Sequence, residues 1–197
     1  MKKIVIIGPE STGKSTLCEQ LAAHYNTLWC PEYAREYLLK HGTDYSFDDL
    51  LTIAKGQIAL EDKFTEEVTK SKKSKVKTAA DSPFTIHHPI AIGSRLFIDT
   101  DMYVMKVWCE FVFGNCHRFI LDQIVERKYD LYLLCNVDLP WVKDELREYP
   151  DLENRLKLYY IYKDIMINQS VPWVDISGKY EERLHKAIST VDELFEK

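Results

Sequence analysis

One stretch decides the fold of this chain: Gly8-Pro9-Glu10-Ser11-Thr12-Gly13-Lys14-Ser15. Its two glycines, separated by four residues and followed by Lys and Ser, form the pattern of a phosphate-binding loop. The apolar run at residues 4–7 precedes the loop and has the composition of a strand buried on both faces. Behind the loop, apolar side chains recur at helical spacing: Leu17, Cys18, Leu21, Ala22 and Tyr25. The sequence therefore predicts a strand, a phosphate-binding loop and a helix, in that order.

The residue types in this loop suit the binding of a nucleoside triphosphate. Gly8 and Gly13 let the backbone approach a ligand without a Cβ in the way. Successive N–H groups and the positive end of the following helix attract an anion. Lys14 is expected to reach the β- and γ-phosphates of ATP, and the Ser15 hydroxyl to bind Mg²⁺. The residues predicted to bind ATP are Gly8, Glu10, Ser11, Thr12, Gly13, Lys14, Ser15 and Thr16. The alternative, a glycine turn capped by Ser11 or Thr12, leaves the preceding strand and Lys14 unexplained.

Composition restricts the class of protein. A chain of 197 residues with a hydrophobic fraction of 46% is expected to form one globular domain. The formal net charge of −5 argues against a general nucleic-acid binder. No stretch approaches the roughly 20 apolar residues of a membrane span, so no membrane partner is expected. The five cysteines form no C-x-x-C pair, which predicts free thiols and a cytoplasmic location.

Short apolar runs alternate with helical patterns along the chain. The runs lie at residues 4–7, 27–30, 96–98, 131–135 and 171–176. This alternation predicts an α/β fold, with a five-stranded parallel sheet covered by helices on both faces in a three-layer sandwich. Ligands of such sheets bind at the carboxyl ends of the strands. The polar residues expected to meet there are Lys14, Glu32, Asp99, Asp138 and Ser177.

Residues 66–95 interrupt this pattern. A helix is expected to start near Ser46 and to end in the middle sixties. Lysines interleaved with Ser and Thr follow it, with little apolar periodicity. Such a run predicts a flexible surface insertion within the single domain 1–197. A basic patch that recruits an acidic partner is the alternative.

Two carboxylates follow the apolar run at residues 96–98. In nucleotide-binding sheets, a carboxylate at such a strand end holds Mg²⁺ beside the phosphate loop. We therefore predict a magnesium site formed by Ser15 and Asp99. Capping of the next helix by Asp99 or Asp101 is the alternative and does not exclude the metal. A charged helical stretch is expected after Trp141, with Arg147 within it.

Several segments together resemble a known family. They are GPESTGKS, EYARE, DDLLTIAKGQIALE, LFIDTD and YDLYLLCNVDLPWVKDELR. The chain resembles the ribosylnicotinamide kinase domain of NadR-type proteins, an AAA-type ATPase-like domain of the P-loop kinase superfamily, except at residues 66–95. The resemblance implies transfer of phosphate from MgATP to the 5′-hydroxyl of nicotinamide riboside in NAD salvage. NadR proteins also carry an adenylyltransferase domain with an H-x-G-H motif. This sequence has no such motif, so we expect the kinase domain alone, without dinucleotide-forming or DNA-binding activity.

The resemblance also implies roles for individual residues. Glu32 is expected to orient the acceptor hydroxyl as the base, with Asp101 as the second candidate. Arg147 is expected to close over the phosphates, beside the catalytic Lys14, and Ser177 and Gly178 to lie against the adenine. The residues expected to contact the substrate are Trp29, Glu32, Tyr33, Arg35, Asp101 and Trp141.

One position departs from the family. Pro31 stands where the family is expected to have an aromatic side chain that stacks on the nicotinamide. Trp29 or Tyr33 would have to serve instead. A kinase of another nucleoside or of a vitamin alcohol therefore stays open. A P-loop ATPase or switch that binds a protein partner is a further alternative. Such a protein would hydrolyse ATP slowly without an acceptor.

Overall fold

Parallel strands lie at the centre of the molecule. The structure, a computed structural model, describes residues 1–78, 95–146 and 148–195, and for residues 71–78 it describes the backbone alone. The strands are β1 (Lys2–Ile7), β2 (Trp29–Cys30), β3 (Arg95–Asp99), β4 (Leu131–Cys135) and β5 (Trp173–Ile176). They form one sheet in the order β2-β3-β1-β4-β5, and each pairing is parallel. The predicted five-stranded parallel sheet is confirmed.

Helices cover both faces of this sheet. They are α1 (Lys14–His24), α2 (Tyr33–His41), α3 (Phe47–Thr78), α4 (Met102–Phe113), α5 (Arg118–Glu126), α6 (Leu152–Asn168) and α7 (Tyr180–Phe195). Because side chains alternate along a strand, β1 contributes to two cores. Val5 and Ile7 pack with α4 and α6, whereas Ile4 and Ile6 pack with α1 and α7. All four side chains are fully buried, which explains why the run at residues 4–7 is continuously apolar.

The predicted end of the third helix in the middle sixties is wrong, because α3 continues to Thr78 and overlaps the predicted insertion at residues 66–95. The insertion itself stays a prediction. Leu60, Phe64 and Val68 recur every four residues and pack in the core that also contains residues of α4 and α6. Val68 is fully buried. This stripe extends the helix into the polar run. Residues 79–94, the rest of the predicted insertion, lie outside the described residues.

The charged stretch before α6 is not the helix that the sequence predicted. Residues 140–146 and 148–151 follow an irregular path, and α6 begins only at Leu152. Asp151 caps the helix by accepting a hydrogen bond from the backbone N–H of Asn154 at 2.8 Å. Arg147 lies outside the described residues, so its expected closure over the phosphates stays a prediction.

All five cysteines are free thiols, and four of them are buried. Among the described residues, no helix combines the length and the apolar character needed to cross a bilayer.

The packing of α2 on α3 depends on Gly56. A Cβ built there would lie 2.1 Å from Cε1 of the Tyr33 ring. Alanine normally favours a helix by about 1 kcal/mol over glycine, but overpacking costs roughly 1–3 kcal/mol. We therefore expect Gly56→Ala to lower the free energy of unfolding, as measured by urea denaturation.

A double-mutant cycle provides the control for this prediction. In a Tyr33→Ala background the clash is gone, so Gly56→Ala should then be neutral or stabilising. A similar loss of stability in both backgrounds would contradict the proposed contact.

Candidate active site

The phosphate-binding loop connects β1 to α1 in a conformation that requires its glycines. Gly8 has a φ of 141°, and a Cβ there would lie 2.7 Å from the carbonyl oxygen of Cys135. Gly13 has a φ of 79° and begins the first turn of α1. The buried Thr12 hydroxyl donates to the carbonyl of Pro9 at 2.8 Å and closes the loop on itself. The glycine spacing read from the sequence therefore has a direct conformational cause.

Arg183 of α7 fixes the loop to the ends of two strands. Its buried guanidinium donates to the carbonyls of Thr12 at 2.8 Å, Asn136 at 2.9 Å and Gly178 at 2.8 Å. It also forms an ion pair with Asp138. A buried arginine is tolerable only when its donors are satisfied in this way. Arg183 is thus a structural support of the loop that the sequence analysis missed.

Arg155 of α6 supports the loop from the other face of the sheet. Its guanidinium, which is 4% exposed, donates to the carbonyls of Leu139 at 3.0 Å and Ser11 at 3.3 Å. Arg155 lies one turn before the buried Tyr159, on the same stripe of the helix. The position of Arg155 on this buried stripe was the signal in the sequence that its side chain faces inward.

The predicted magnesium ligands lie side by side. Asp99 pairs with Ile6 across β3 and β1, which sets its carboxylate beside the loop. The Ser15 hydroxyl donates to Oδ2 of Asp99 at 2.5 Å, while the buried Oδ1 has no hydrogen-bond partner in the described residues. Burial raises the pKa of Asp99, and Lys14 lowers it. An unpartnered carboxylate oxygen beside a hydroxyl fits a hard cation such as Mg²⁺.

Glu32 faces the loop from the end of β2. It occupies the N-cap position of α2, yet its side chain makes no capping hydrogen bond. Burial raises its pKa, the nearby Asp99 raises it further, and Lys14 and Arg35 lower it. A carboxylate with a raised pKa next to the phosphate site is a candidate for a base.

These groups line one cleft of about 360 Å³. Its polar lining includes the phosphate loop, Glu32 and Asp99. The other lining residues are mostly apolar and include Leu38, Val104, Val107, Trp108, Phe111, Leu146, Tyr149, Leu158 and Tyr162. The cleft therefore combines phosphate-binding residues with a set of apolar and aromatic residues, which we call its aromatic half.

The structure brings some of the predicted substrate residues into this cleft and not others. Trp29, Glu32 and Arg35 line it. Tyr33 instead packs its ring over Gly56. Trp141 does not line the cleft either, and its buried indole N–H has no hydrogen-bond partner in the described residues.

Asp101 lies outside the cleft and caps α4. Its Oδ1 accepts hydrogen bonds from the backbone N–H groups of Tyr103 at 3.0 Å and Val104 at 3.3 Å. Its Oδ2 accepts one from the Tyr132 hydroxyl at 2.8 Å. Burial raises the pKa of Asp101 to about 7. The geometry thus corresponds to the capping alternative and not to contact with a sugar.

Ser177 and Gly178 lie at the end of β5, at the same edge as the loop. The backbone N–H of Gly178 donates to Asp138 at 2.6 Å, and its carbonyl accepts from Arg183. Neither residue lines the cleft. Their contact with adenine stays a prediction.

Residues of the loop also hold the irregular stretch before α6. The Glu10 carboxylate accepts hydrogen bonds from the backbone N–H groups of Glu148 at 3.0 Å and Tyr149 at 2.5 Å. The Ser11 hydroxyl accepts one from Val142 at 2.9 Å. These two side chains thus fix the irregular stretch to the phosphate loop, and the predicted contact of both residues with the nucleotide stays a prediction.

Trp108 of α4 lines the cleft, although no sequence pattern marks it as a functional residue. Its indole N–H donates to the Tyr45 hydroxyl at 2.8 Å, and that hydroxyl donates to Glu148 at 3.0 Å. These bonds fix the indole at the aromatic half of the cleft. The sequence shows the helical spacing of Trp108, but it does not show that this side chain faces the cleft.

Fold and site together define the class of the protein. A phosphate-binding loop after the central strand of a parallel sheet, with Ser15 and a strand-end Asp99 side by side, defines a P-loop nucleotide-binding protein. The chain belongs to the AAA domain family, whose model matches residues 3–183.

Comparisons with known proteins identify relatives within this class. The chain is 26% identical over 199 residues to the trifunctional NAD biosynthesis/regulator protein NadR of Escherichia coli K12, and equally to that of Salmonella typhimurium LT2. Each alignment covers 98% of this chain and 43% of the relative. The chain thus spans less than half the length of these proteins.

Solved structures of NadR share the fold. A NadR structure in complex with NR has a TM-score of 0.68 and 22% identity, and one with NAD and AMP-PNP has a TM-score of 0.59 and 21% identity. Each covers 100% of this chain and 50% of the other chain. The predicted similarity to NadR is confirmed.

Loss of Lys14 should weaken nucleotide binding. Lys14→Ala removes the ammonium expected at the phosphates, and a hydrogen bond to a charged group contributes about 1.5–3 kcal/mol. We expect affinity for a fluorescent ATP analogue to fall at least about tenfold with an unchanged melting temperature. Lys128→Ala, an exposed lysine before β4, is the matched control. Equal affinities of the two variants would refute the assignment.

Proposed function

We propose that this chain is an ATP-dependent kinase that phosphorylates the 5′-hydroxyl of nicotinamide riboside in NAD salvage. One observation carries the proposal: Glu32, the Ser15–Asp99 pair and Lys14 line one cleft, and apolar and aromatic side chains line the same cleft. The NadR structures with NR and with AMP-PNP support both halves of this assignment. We propose a cytoplasmic location, consistent with the free thiols.

The reaction would depend mostly on positioning and charge. Phosphoryl transfer has a loose transition state, in which charge spreads over the transferring group. Lys14 and the loop amides would hold that group in line between ADP and the acceptor. Ser15 and Asp99 would hold Mg²⁺, which supplies positive charge to the phosphates.

Glu32 would act on the acceptor. As the new bond to phosphorus forms and the bond to ADP breaks, the 5′-hydroxyl loses its proton, which the carboxylate accepts. Burial raises the pKa of Glu32, and a raised pKa makes a carboxylate a stronger proton acceptor.

The aromatic half of the cleft suits the nicotinamide ring. This ring is a cation in the riboside, and cations bind over indole faces and near carboxylates. Trp108 lies there, held by Tyr45, with Glu148 next in the hydrogen-bond chain. Trp108 would thus supply the aromatic contact that the family is expected to have at the position of Pro31. Because an indole face attracts a cation, this contact favours nicotinamide riboside over a neutral nucleoside.

An acceptor screen tests the proposal. ADP release is measured with nicotinamide riboside, uridine, adenosine, thiamine or no acceptor. We expect release to depend on the acceptor and to be fastest with nicotinamide riboside. Faster phosphorylation of another acceptor would make the chain a different kinase, and equal release without an acceptor would favour the ATPase or switch.

Two conservative variants identify the base. Glu32→Gln removes the proton acceptor and should lower kcat by about 10²–10⁴-fold. Asp101→Asn keeps the Oδ1 that caps α4, so kcat should stay within about threefold of wild type. A large kcat loss in Asp101→Asn with none in Glu32→Gln would reassign the base to Asp101.

A further inference from the structure

A buried glutamine connects the two carboxylate-bearing strand ends. Gln57 of α3 is 1% exposed. Its Oε1 accepts a hydrogen bond from the backbone N–H of Tyr33 at 2.7 Å. Its Nε2 donates to the carbonyl of Pro31 at 3.3 Å and lies 3.5 Å from the carbonyl of Asp99. One side chain thus contacts the backbone at the ends of β2 and β3.

These contacts lie on both sides of Glu32. Pro31 precedes it and Tyr33 follows it, so the amide fixes the peptide units that flank this residue. The third contact is the carbonyl of Asp99 itself. Gln57 therefore sets the backbone position of Glu32 relative to that of Asp99.

Gln57 also satisfies the first backbone N–H group of α2. The first N–H groups of a helix need acceptors, and an N-cap side chain reaches only those of the second and third helical residues. Gln57 accepts the N–H of Tyr33, the first residue of α2, while the N-cap residue Glu32 makes no capping hydrogen bond. The Glu32 side chain lines the cleft instead.

The neighbouring glycine makes this arrangement possible. Gly56 precedes Gln57 and allows the Tyr33 ring to lie where a Cβ would clash at 2.1 Å. The start of α2 can therefore approach α3 closely enough for the amide of Gln57 to reach it.

We propose that Gln57 is a positioning residue of the active site, which holds Glu32 and Asp99 in the relation that phosphoryl transfer needs. The inference rests on the proposed function, in which Glu32 accepts the acceptor proton and Asp99 binds Mg²⁺. A displacement of about 1 Å at a reacting group costs roughly 10²-fold in rate. Loss of the amide should therefore affect kcat more than substrate binding.

Matched glutamine variants test this role. Gln57→Met keeps the approximate volume and removes the hydrogen bonds. Gln169→Met is the control, because Gln169 likewise accepts from the backbone N–H of Val171 and donates to the carbonyls of Met166 and Val171, at the α6–β5 connection. We expect Gln57→Met to lower kcat at least about tenfold with the KM for the riboside within about threefold, and Gln169→Met to leave kcat unchanged.

Two outcomes would overturn the role. One is a folded Gln57→Met with wild-type kcat, and the other is an equal kcat loss in Gln169→Met. If Gln57→Met does not fold, Gln57→Asn takes its place, since it keeps an amide that is one methylene too short to span the contacts. The same loss of kcat is expected for it.

A binding measurement separates this inference from the proposed function. Affinity for AMP-PNP is measured by calorimetry with Mg²⁺ and with EDTA. Because Gln57 contacts the Asp99 carbonyl, its loss should reduce the gain in affinity from Mg²⁺, whereas Gln169→Met should not. An unchanged gain in Gln57→Met would count against the positioning role. If the wild-type protein does not phosphorylate nicotinamide riboside, the proposed function is refuted. The binding measurement would still decide the role of Gln57, because it does not depend on the acceptor.

Discussion

The parallel pairing of β1 with β3 and β4 is the constraint on which the rest of the site depends. β1 is fully buried at its carboxyl end, so its alternating side chains must pack into both cores at once. A slip of one residue would exchange the two faces. The register sets Ile6 opposite Asp99 and Ile7 opposite Leu134. The phosphate loop therefore starts beside the end of β3, and Ser15 can reach Asp99.

Buried polar side chains then fix the loops at this edge. Irregular backbone offers N–H and carbonyl groups that must be paired when water is excluded. Arg183 and Arg155 satisfy carbonyls of the phosphate loop from opposite faces, and Gln57 satisfies the start of α2. Removal of such a partner leaves a buried polar group unpaired, which costs more than the bond itself contributes. The loops are therefore rigid. A site that accelerates a reaction by positioning the reactants requires such rigidity.

Sequence patterns were sufficient for features that are local. The strand, loop and helix around Gly13 follow from a spacing within one segment, and Asp99 was recognised because it ends an apolar run. The same reasoning ended α3 too early, since polar residues hid the stripe that reaches Val68. It also left open whether Asp99 or Asp101 caps the next helix, because capping depends on which backbone N–H groups lie beside each carboxylate.

The sequence by itself determined the class of fold, the phosphate-binding loop and the candidate carboxylates, because each is written as a short pattern with a local physical cause. Only the tertiary structure decided which side chains meet. Gln57 and Asp99, or Trp108 and Tyr45, are far apart along the chain and adjacent in space. Their contacts arise from the packing of whole helices on the sheet, which no single segment encodes.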